Sequence, residues 1–266
     1  MKKTNELWRS VILIAFLTFM IVPVIATLIF SVSTRWDRSI WPEGVTLQWW
    51  MEVTSHSAFM MTLKNSFIAS FATMFCLLIL VTPTAYWMKL KVPQGKLIIE
   101  LITSFSFGVP GVVLALALIR FYSKVPLPII NHPTILVAAC MVLSLPFMYR
   151  PILNALEAID FRVLTEAAQS LGANWFTILF RVIFPNLRVA ILSGAFLTLA
   201  TVIGEFTIAS FLVGIHAFGP YMSLIGQNKT YEASSLTIIS FGLTWAFMGL
   251  LQFITRGRAE SLAGAH

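Results

Sequence analysis

Glu166 opens the run Glu166-Ala167-Ala168-Gln169-Ser170-Leu171-Gly172-Ala173-Asn174, with Phe180, Ile183 and Pro185 further on. On an exposed helix, a carboxylate flanked by paired alanines can meet an arginine of another chain, because the small side chains let a second backbone come close. A second carboxylate, Glu205, lies in Thr201-Val202-Ile203-Gly204-Glu205-Phe206-Thr207, inside an apolar stretch. At membrane depth a carboxylate costs about 2.5–3.5 kcal/mol, so it faces a cavity or a partner. Lining a path for a cationic solute is one role for Glu205; pairing with another span, or a place nearer the external interface, is the other. Asn65, Ser66, Ser70 and Thr73 recur at near-helical spacing, and Ser104 and Ser106 flank a glycine break. Such groups can wet a pore or bond one helix to its neighbour.

The elements that must hold these groups can be read locally. Asp160 can accept from the free N–H groups of a helix starting at Phe161. Arg162 to Ser170 are mostly good helix formers. Gly172 sits where a helix ends in a left-handed residue. Asn174 can cap a second helix carrying Trp175, Ile178, Leu179 and Val182, which Pro185 is expected to stop or bend. The expectation is helix, glycine turn, helix, proline.

That pattern resembles the EAA loop of permease subunits of type I ABC importers, the binding-protein-dependent transport family. It spans some 35 residues, with Asn154-Ala155-Leu156-Glu157-Ala158-Ile159-Asp160 as a similar lead-in. The resemblance implies that Glu166, Ala167, Ala168, Gly172, Ala173 and Pro185 belong to a coupling helix docked in a groove of a cytoplasmic ATPase. The plainer alternative is an amphipathic loop lying on the membrane surface. The turn Gly44-Val45-Thr46-Leu47-Gln48-Trp49-Trp50 resembles, more briefly, the spermidine/putrescine-type permeases, and Thr46 can cap a short helix there. Trp36, Trp41, Trp49 and Trp50 also fit simple anchoring at the headgroups.

Composition sets the class. The 266 residues are 58% hydrophobic and only 11% charged, with mean hydropathy +0.86. Soluble domains carry about 25% charged residues, so this is a polytopic membrane protein. The fold class expected is all-α, with six transmembrane helices and a cytoplasmic coupling loop at 150–188 between the fourth and fifth. The spans run from Val11 to about Val32, Asn65 to Trp87, Leu97 to Tyr122, Thr134 to Tyr149, Val189 to Val213, and Ser234 to Ile254. The third is broken at Gly108-Val109-Pro110-Gly111, which is tolerated only against protein or a wet cavity. The first is long and without a cleavage site, so it reads as an uncleaved anchor. Ser123 to Pro133 reads as a proline-rich external loop, and Gly219-Pro220 is expected to bend the next external segment. Cys76 and Cys140 are expected as two free, buried thiols. The chain reads as one permease domain, 1–266, with its core at 60–255.

Of the 18 Lys and Arg, 12 fall in the termini, the Lys89–Lys96 turn and the 150–188 loop, and 6 on the other face. The positive-inside rule makes the richer side cytoplasmic, with both termini on it. The net charge of +7 therefore sits in loops and implies no nucleic acid.

His56, His132 and His216 share no ligand spacing, so neither a metal nor another cofactor is expected. The chain has no Gly-rich phosphate loop, Gly-x-Ser-x-Gly elbow or His-Glu-x-x-His, and so should not be an enzyme. The resemblance implies two ATP-binding subunits, a second permease subunit and an extracytoplasmic solute-binding protein in a bacterial inner membrane. Within the family it points first to a polyamine such as spermidine or putrescine, then to 2-aminoethylphosphonate, ferric iron or thiamine. An ion-driven secondary transporter would show inverted repeats and paired intramembrane charges, and an intramembrane enzyme a catalytic pair; none is evident.

Overall fold

The computed structural model describes residues 2–124 and 133–263, and these are almost entirely helical. His132 and most of the proline-rich loop lie outside the described residues. Among the described residues, four helices are long and apolar enough to cross a membrane, or five if one bent pair counts as a span. The chain divides into two compact units.

The first unit takes the chain through Met60 together with Met222–Thr244. It opens with α1 (Lys2–Ser31), whose apolar surface stays open, as expected of a lipid-facing anchor. Thr46 accepts from the Gln48 amide at 3.1 Å, ahead of α2 (Gln48–Ser55). Gly44 closes the turn, and a Cβ there would sit 2.8 Å from the Thr34 hydroxyl. The tryptophans divide. Trp49 donates to the Ser33 carbonyl at 2.8 Å and stacks on Tyr231, which also stacks on Phe30. Trp41 is left exposed. Lys229 sits between Glu52 and Glu232, and these bonds hold its ammonium pKa above the usual lysine value.

The second unit, Met61–Tyr221 with the chain from Trp245, carries the candidate sites. Helix α3 (Ser57–Lys91) begins in the first unit, and Pro83 lies within it. Helices α4 (Gly95–Gly108) and α5 (Gly111–Tyr122) meet at 99°. Val109 is extended before Pro110, as the residue preceding a proline prefers, so the expected break is a sharp corner. Helix α6 (Pro133–Ala158) does not end near Tyr149; it continues through Pro146 and Pro151. Arg150 therefore belongs to a helix and does not open a loop. The turn after it leads to α7 (Phe161–Ser170) and α8 (Trp175–Thr177).

Pro185 does not stop the second helix. A π-helical segment, Ile178–Ile183, precedes α9 (Phe184–Ile203), and Pro185 falls in the first turn of α9. The wide turn lets the Phe184 amide reach Leu179 and accommodates a residue without a donor, so Trp175–Ile203 forms one continuous candidate span of 29 residues. At its other end that span stops early. Gly204, Glu205 and Phe206 break it before α10 (Thr207–Leu212).

The chain then turns through Gly214, at φ +60, into α11 (Phe218–Asn228). Gly219 and Pro220 do not bend this segment; they lie in the first turn of α11, where a missing N–H costs nothing. Helix α12 (Thr230–Ala263) carries the sixth apolar segment and extends beyond it at both ends. Cys140 is buried and free, whereas Cys76 is also free but exposed on α3, against the expectation for it.

Two apolar clusters pack the second unit. One joins Leu77, Tyr86, Met148, Ile152, Leu156, Phe161, Ile178, Ile183 and Leu187; the other joins Ala69, Ala115, Ile135, Cys140, Ile208 and Leu212. Helices α6 and α9 pack tightly at Gly194, where a Cβ would lie 3.1 Å from Met148 Cα and 3.2 Å from the Phe147 carbonyl.

Candidate coupling elbow and translocation site

The elbow is built from local chemistry. Asp160 Oδ1 accepts from the amides of Arg162 at 3.1 Å and Val163 at 3.3 Å, starting α7. At the other end Gly172 has φ +78. Its amide donates to Gln169 at 2.9 Å, and the Ala173 amide donates to Ala168 at 3.0 Å, which is the Schellman closure. Asn174 Oδ1 then accepts from the Thr177 amide at 2.8 Å. Each of these bonds satisfies a helix-end group that would otherwise be orphaned.

The elbow is also fixed to the body of the second unit. Phe161, Ile178 and Ile183 are buried to 1% exposure or less. Thr165 donates its hydroxyl hydrogen to the Phe161 carbonyl, which leaves its oxygen to accept from Tyr86 Oη at 2.7 Å. Ala168 and Ala173 pack on the same cluster.

The outward face stays open. Glu166 pairs with Arg162 at 3.0 Å with both side chains exposed. A pair of this kind contributes about 0.3–0.5 kcal/mol, so a partner's arginine can replace Arg162 at little cost. Val163, Ala167 and Gly172 are exposed beside it, and Leu171 is 89% exposed. Phe176, Phe180 and Phe184 stack in a ridge along the second helix. A stiff elbow with a bare tip can transmit displacement directly to α6 and α9, because it is continuous with both.

Three of the other candidate residues meet around the break at 204–219. Glu205 is half-buried, and its Oε1 accepts from the Ile208 amide at 2.7 Å, capping α10. A Cβ on Gly219 would stand 2.8 Å from the Glu205 carbonyl, so α11 enters against that peptide. Asn65 donates to the His216 carbonyl at 3.0 Å, and Ser66 accepts from the Phe218 amide at 2.9 Å. Thr201 donates to Leu197 within α9. Ser70 is buried and bonded to Ser66, and Thr73 is buried as well. Ser104 is exposed on α4 and takes part in none of these bonds. Asn65, Ser66 and Glu205 are thus brought to one segment, and Ser104 is not. Among the described residues no cluster of His, Cys, Asp and Glu could hold a metal.

Tyr86, Thr165 and Gly194 escaped the sequence reading, and Gly219 entered it only as a bend. Gly194 left a trace in the small run Ser193-Gly194-Ala195. Tyr86 and Thr165 are 79 positions apart and leave none.

An all-α, multi-pass membrane protein with a capped polar elbow between two long helices has the outline of a transporter subunit. The family model described as the binding-protein-dependent transport system inner membrane component matches residues 57–258, and the chain belongs to that family: it is a permease of a binding-protein-dependent ABC importer.

It is 26% identical over 272 residues to the Haemophilus influenzae spermidine/putrescine transport system permease protein PotB, covering 95% of this chain and 93% of that one. It is 24% identical to PotC of Escherichia coli K12, covering 98% of both. A probable sulfate transport system permease of Chlorokybus atmophyticus is 27% identical over 210 residues, 75% of this chain and 69% of that protein. Among solved structures, a transporter for the acidic polysaccharide alginate aligns with TM-score 0.69 at 15% identity, covering 94% of this chain and 96% of its own. The MetNI methionine transporter, inward-facing, aligns with TM-score 0.61 at 21% identity over 78% and 97%. At those identities the structures establish the fold alone. The permeases related to it are membrane subunits and not themselves enzymes.

Proposed function

We infer that the chain is a six-span permease for a polyamine such as spermidine or putrescine, forming one permease domain over 1–266 with its core at 60–255. It works beside a second permease subunit, above two ATP-binding subunits and below a solute-binding protein. Both termini and the elbow face the cytoplasm of a bacterial inner membrane. Glu166, Ala167, Ala168, Gly172, Ala173 and Pro185 form the coupling surface. ATP binding moves the ATPases, the elbow carries that motion into α6 and α9, and the spans alternate between inward and outward states. Loaded binding protein must favour one of those states for transport to follow.

The observation that carries the polyamine reading is the match to PotB over nearly the whole of both chains. A half-buried carboxylate, Glu205, at a break in a membrane helix suits an ammonium-bearing solute. We assign Glu205, Thr201, Asn65, Ser66 and Ser104 to the translocation region. Ser66 acts there by holding the 214–218 turn, since its hydroxyl is committed to Phe218. The partial match to a sulfate permease favours one rival, an oxyanion cargo; 2-aminoethylphosphonate, ferric iron and thiamine are further alternatives.

The test is uptake by proteoliposomes holding the complete importer and its binding protein. Spermidine or putrescine should drive ATP hydrolysis and accumulate. Accumulation of sulfate instead, with no response to polyamines, contradicts the reading.

A further inference from the structure

We propose that Thr73, Ser144 and Thr198 hold a buried water between the two apolar clusters of the second unit. Each is 0% exposed, and its hydroxyl has no hydrogen-bond partner. The three share a level. On α3, Thr73 stands one turn from Ala69 of one cluster and one turn from Leu77 of the other. On α6, Ser144 stands in the same way between Cys140 and Met148, and on α9 Thr198 stands between Ala195 and Val202. Gly194 seats against Met148, so one turn along this antiparallel pair Thr198 comes level with Ser144. Thr82 and Tyr149 are also unpaired, but they lie away from this level, within the cluster around Leu77.

A local acceptor is within reach of such hydroxyls, and their neighbours use it. Ser70 donates to Ser66 and Thr84 to Leu80 on α3, and Ser193 donates to Val189 and Thr201 to Leu197 on α9. Thr73, Ser144 and Thr198 make no such bond, so their hydroxyls point off their own helices and, being buried, toward the neighbouring ones. The chemistry selects the ligand. No charged residue or histidine falls within a turn of these positions on the three helices. Glu205 lies about two turns beyond Thr198 and is committed to the Ile208 amide. An ion would stand uncompensated in an apolar core, which is costly. Water is neutral and small, both donates and accepts, and suits three buried hydroxyls that do not bond one another. The cluster around Leu77 carries the elbow through Phe161 and Ile178, and the cluster around Ala69 reaches Ile208 beside the 204–219 break. Bonds to water can be remade as packed helices slide, so the layer is a joint between the two cores. This mechanical role, unlike the water itself, rests on the function proposed above.

The experiment is a mutant cycle in the assembled importer, read by thermal unfolding of the permease. Thr73→Val, Ser144→Ala and Thr198→Val should each lower the melting temperature, by about 2–4 °C, because each leaves the water short of a partner. The triple variant should return to the wild-type value or above it, since no hydroxyl is then left to desolvate. Losses that simply add would mean that each hydroxyl has its own partner, and a rise from each single change would mean that none has any; either overturns the proposal. Replacing sodium and potassium by choline should leave every melting temperature where it was, and a shift would put a cation in the layer and overturn it too. A cryo-electron microscopy map of the wild-type importer, at a resolution that shows ordered water, should hold density within hydrogen-bond reach of all three hydroxyls. Its absence there overturns the proposal even where the triple variant does not assemble. The joint is read by ATP hydrolysis with loaded binding protein, which should fall severalfold in the triple variant; an equal rate overturns the joint. Melting and density do not depend on cargo, so an importer that moves no polyamine refutes the function proposed above and leaves the water standing, and the reverse holds.

Discussion

The two interruptions in the membrane helices, at 159–174 and at 204–219, are built on opposite plans. The first is closed at every end: Asp160, the Schellman turn at Gly172 and Asn174 satisfy its helix termini, and Phe161, Ile178 and Ile183 anchor it in the core. The second is held by separate bonds from single side chains, two of them long-range, Asn65 to His216 and Ser66 with Phe218, and one local, Glu205 with Ile208. On the roles proposed above, an element that transmits force must not yield, because slack in it would absorb the motion of an ATPase. A segment that borders a path must rearrange between states, and a few exchangeable bonds permit that at modest cost, about 0.5–1.5 kcal/mol each.

The sharpest way to break this contrast is at the glycines. Gly219→Val should be the most damaging substitution, because its Cβ meets the Glu205 carbonyl at 2.8 Å and backbone must move. Overpacking of this kind costs about 1–3 kcal/mol or more, visible as a lowered melting temperature of the purified complex. Gly172→Val has open space around it but is strained by its positive φ, by about 1–3 kcal/mol. It should leave the complex assembled in the membrane while abolishing substrate-stimulated ATP hydrolysis, measured in proteoliposomes.

Tyr86→Phe sharpens the comparison on the elbow side. It removes the donor to Thr165 and should cost about 1 kcal/mol, lowering uptake per ATP hydrolysed while leaving the fold intact. Glu205→Gln sharpens it on the other side. The amide oxygen can still accept from Ile208, so thermal stability should barely change while polyamine uptake falls; Glu205→Ala should lower both. Equal uptake by wild type and Glu205→Gln would leave Glu205 with a capping role alone. Glu166→Ala should have the smallest effect on stability, within about 0.5 kcal/mol, because its pair with Arg162 is exposed. Its effect should appear only in coupled ATP hydrolysis.

What could be read from the chain follows the range of the interactions. Asp160, Gly172 and Asn174 each act on a backbone group within five positions, and their roles were legible from residue type and spacing. The Tyr86–Thr165 bond and the seat of Gly219 on Glu205 join distant segments and leave no local pattern. Pro185 misled because a proline reads as a stop, whereas a π-turn ahead of it lets the helix continue. Glu205 read as lying within a helical span, yet Gly204 ends the helix just before it and turns the carboxylate into a cap. Hydropathy located the apolar segments but not their ends, since α3, α6 and α12 run on into polar sequence.

The central claim is that a stiff, outward-facing elbow is gripped by a separate ATPase. It is tested most directly with Leu171→Cys, at the exposed tip, in a Cys76→Ser, Cys140→Ser background. In sealed cells or right-side-out vesicles, a membrane-impermeant maleimide should not reach this cysteine. In inverted vesicles it should label the permease lacking its ATPase, and far less of the assembled importer, where a bifunctional reagent should join Leu171→Cys to the ATPase subunit. Labelling from outside the cell, or full labelling in an assembled importer that still transports, would contradict the account.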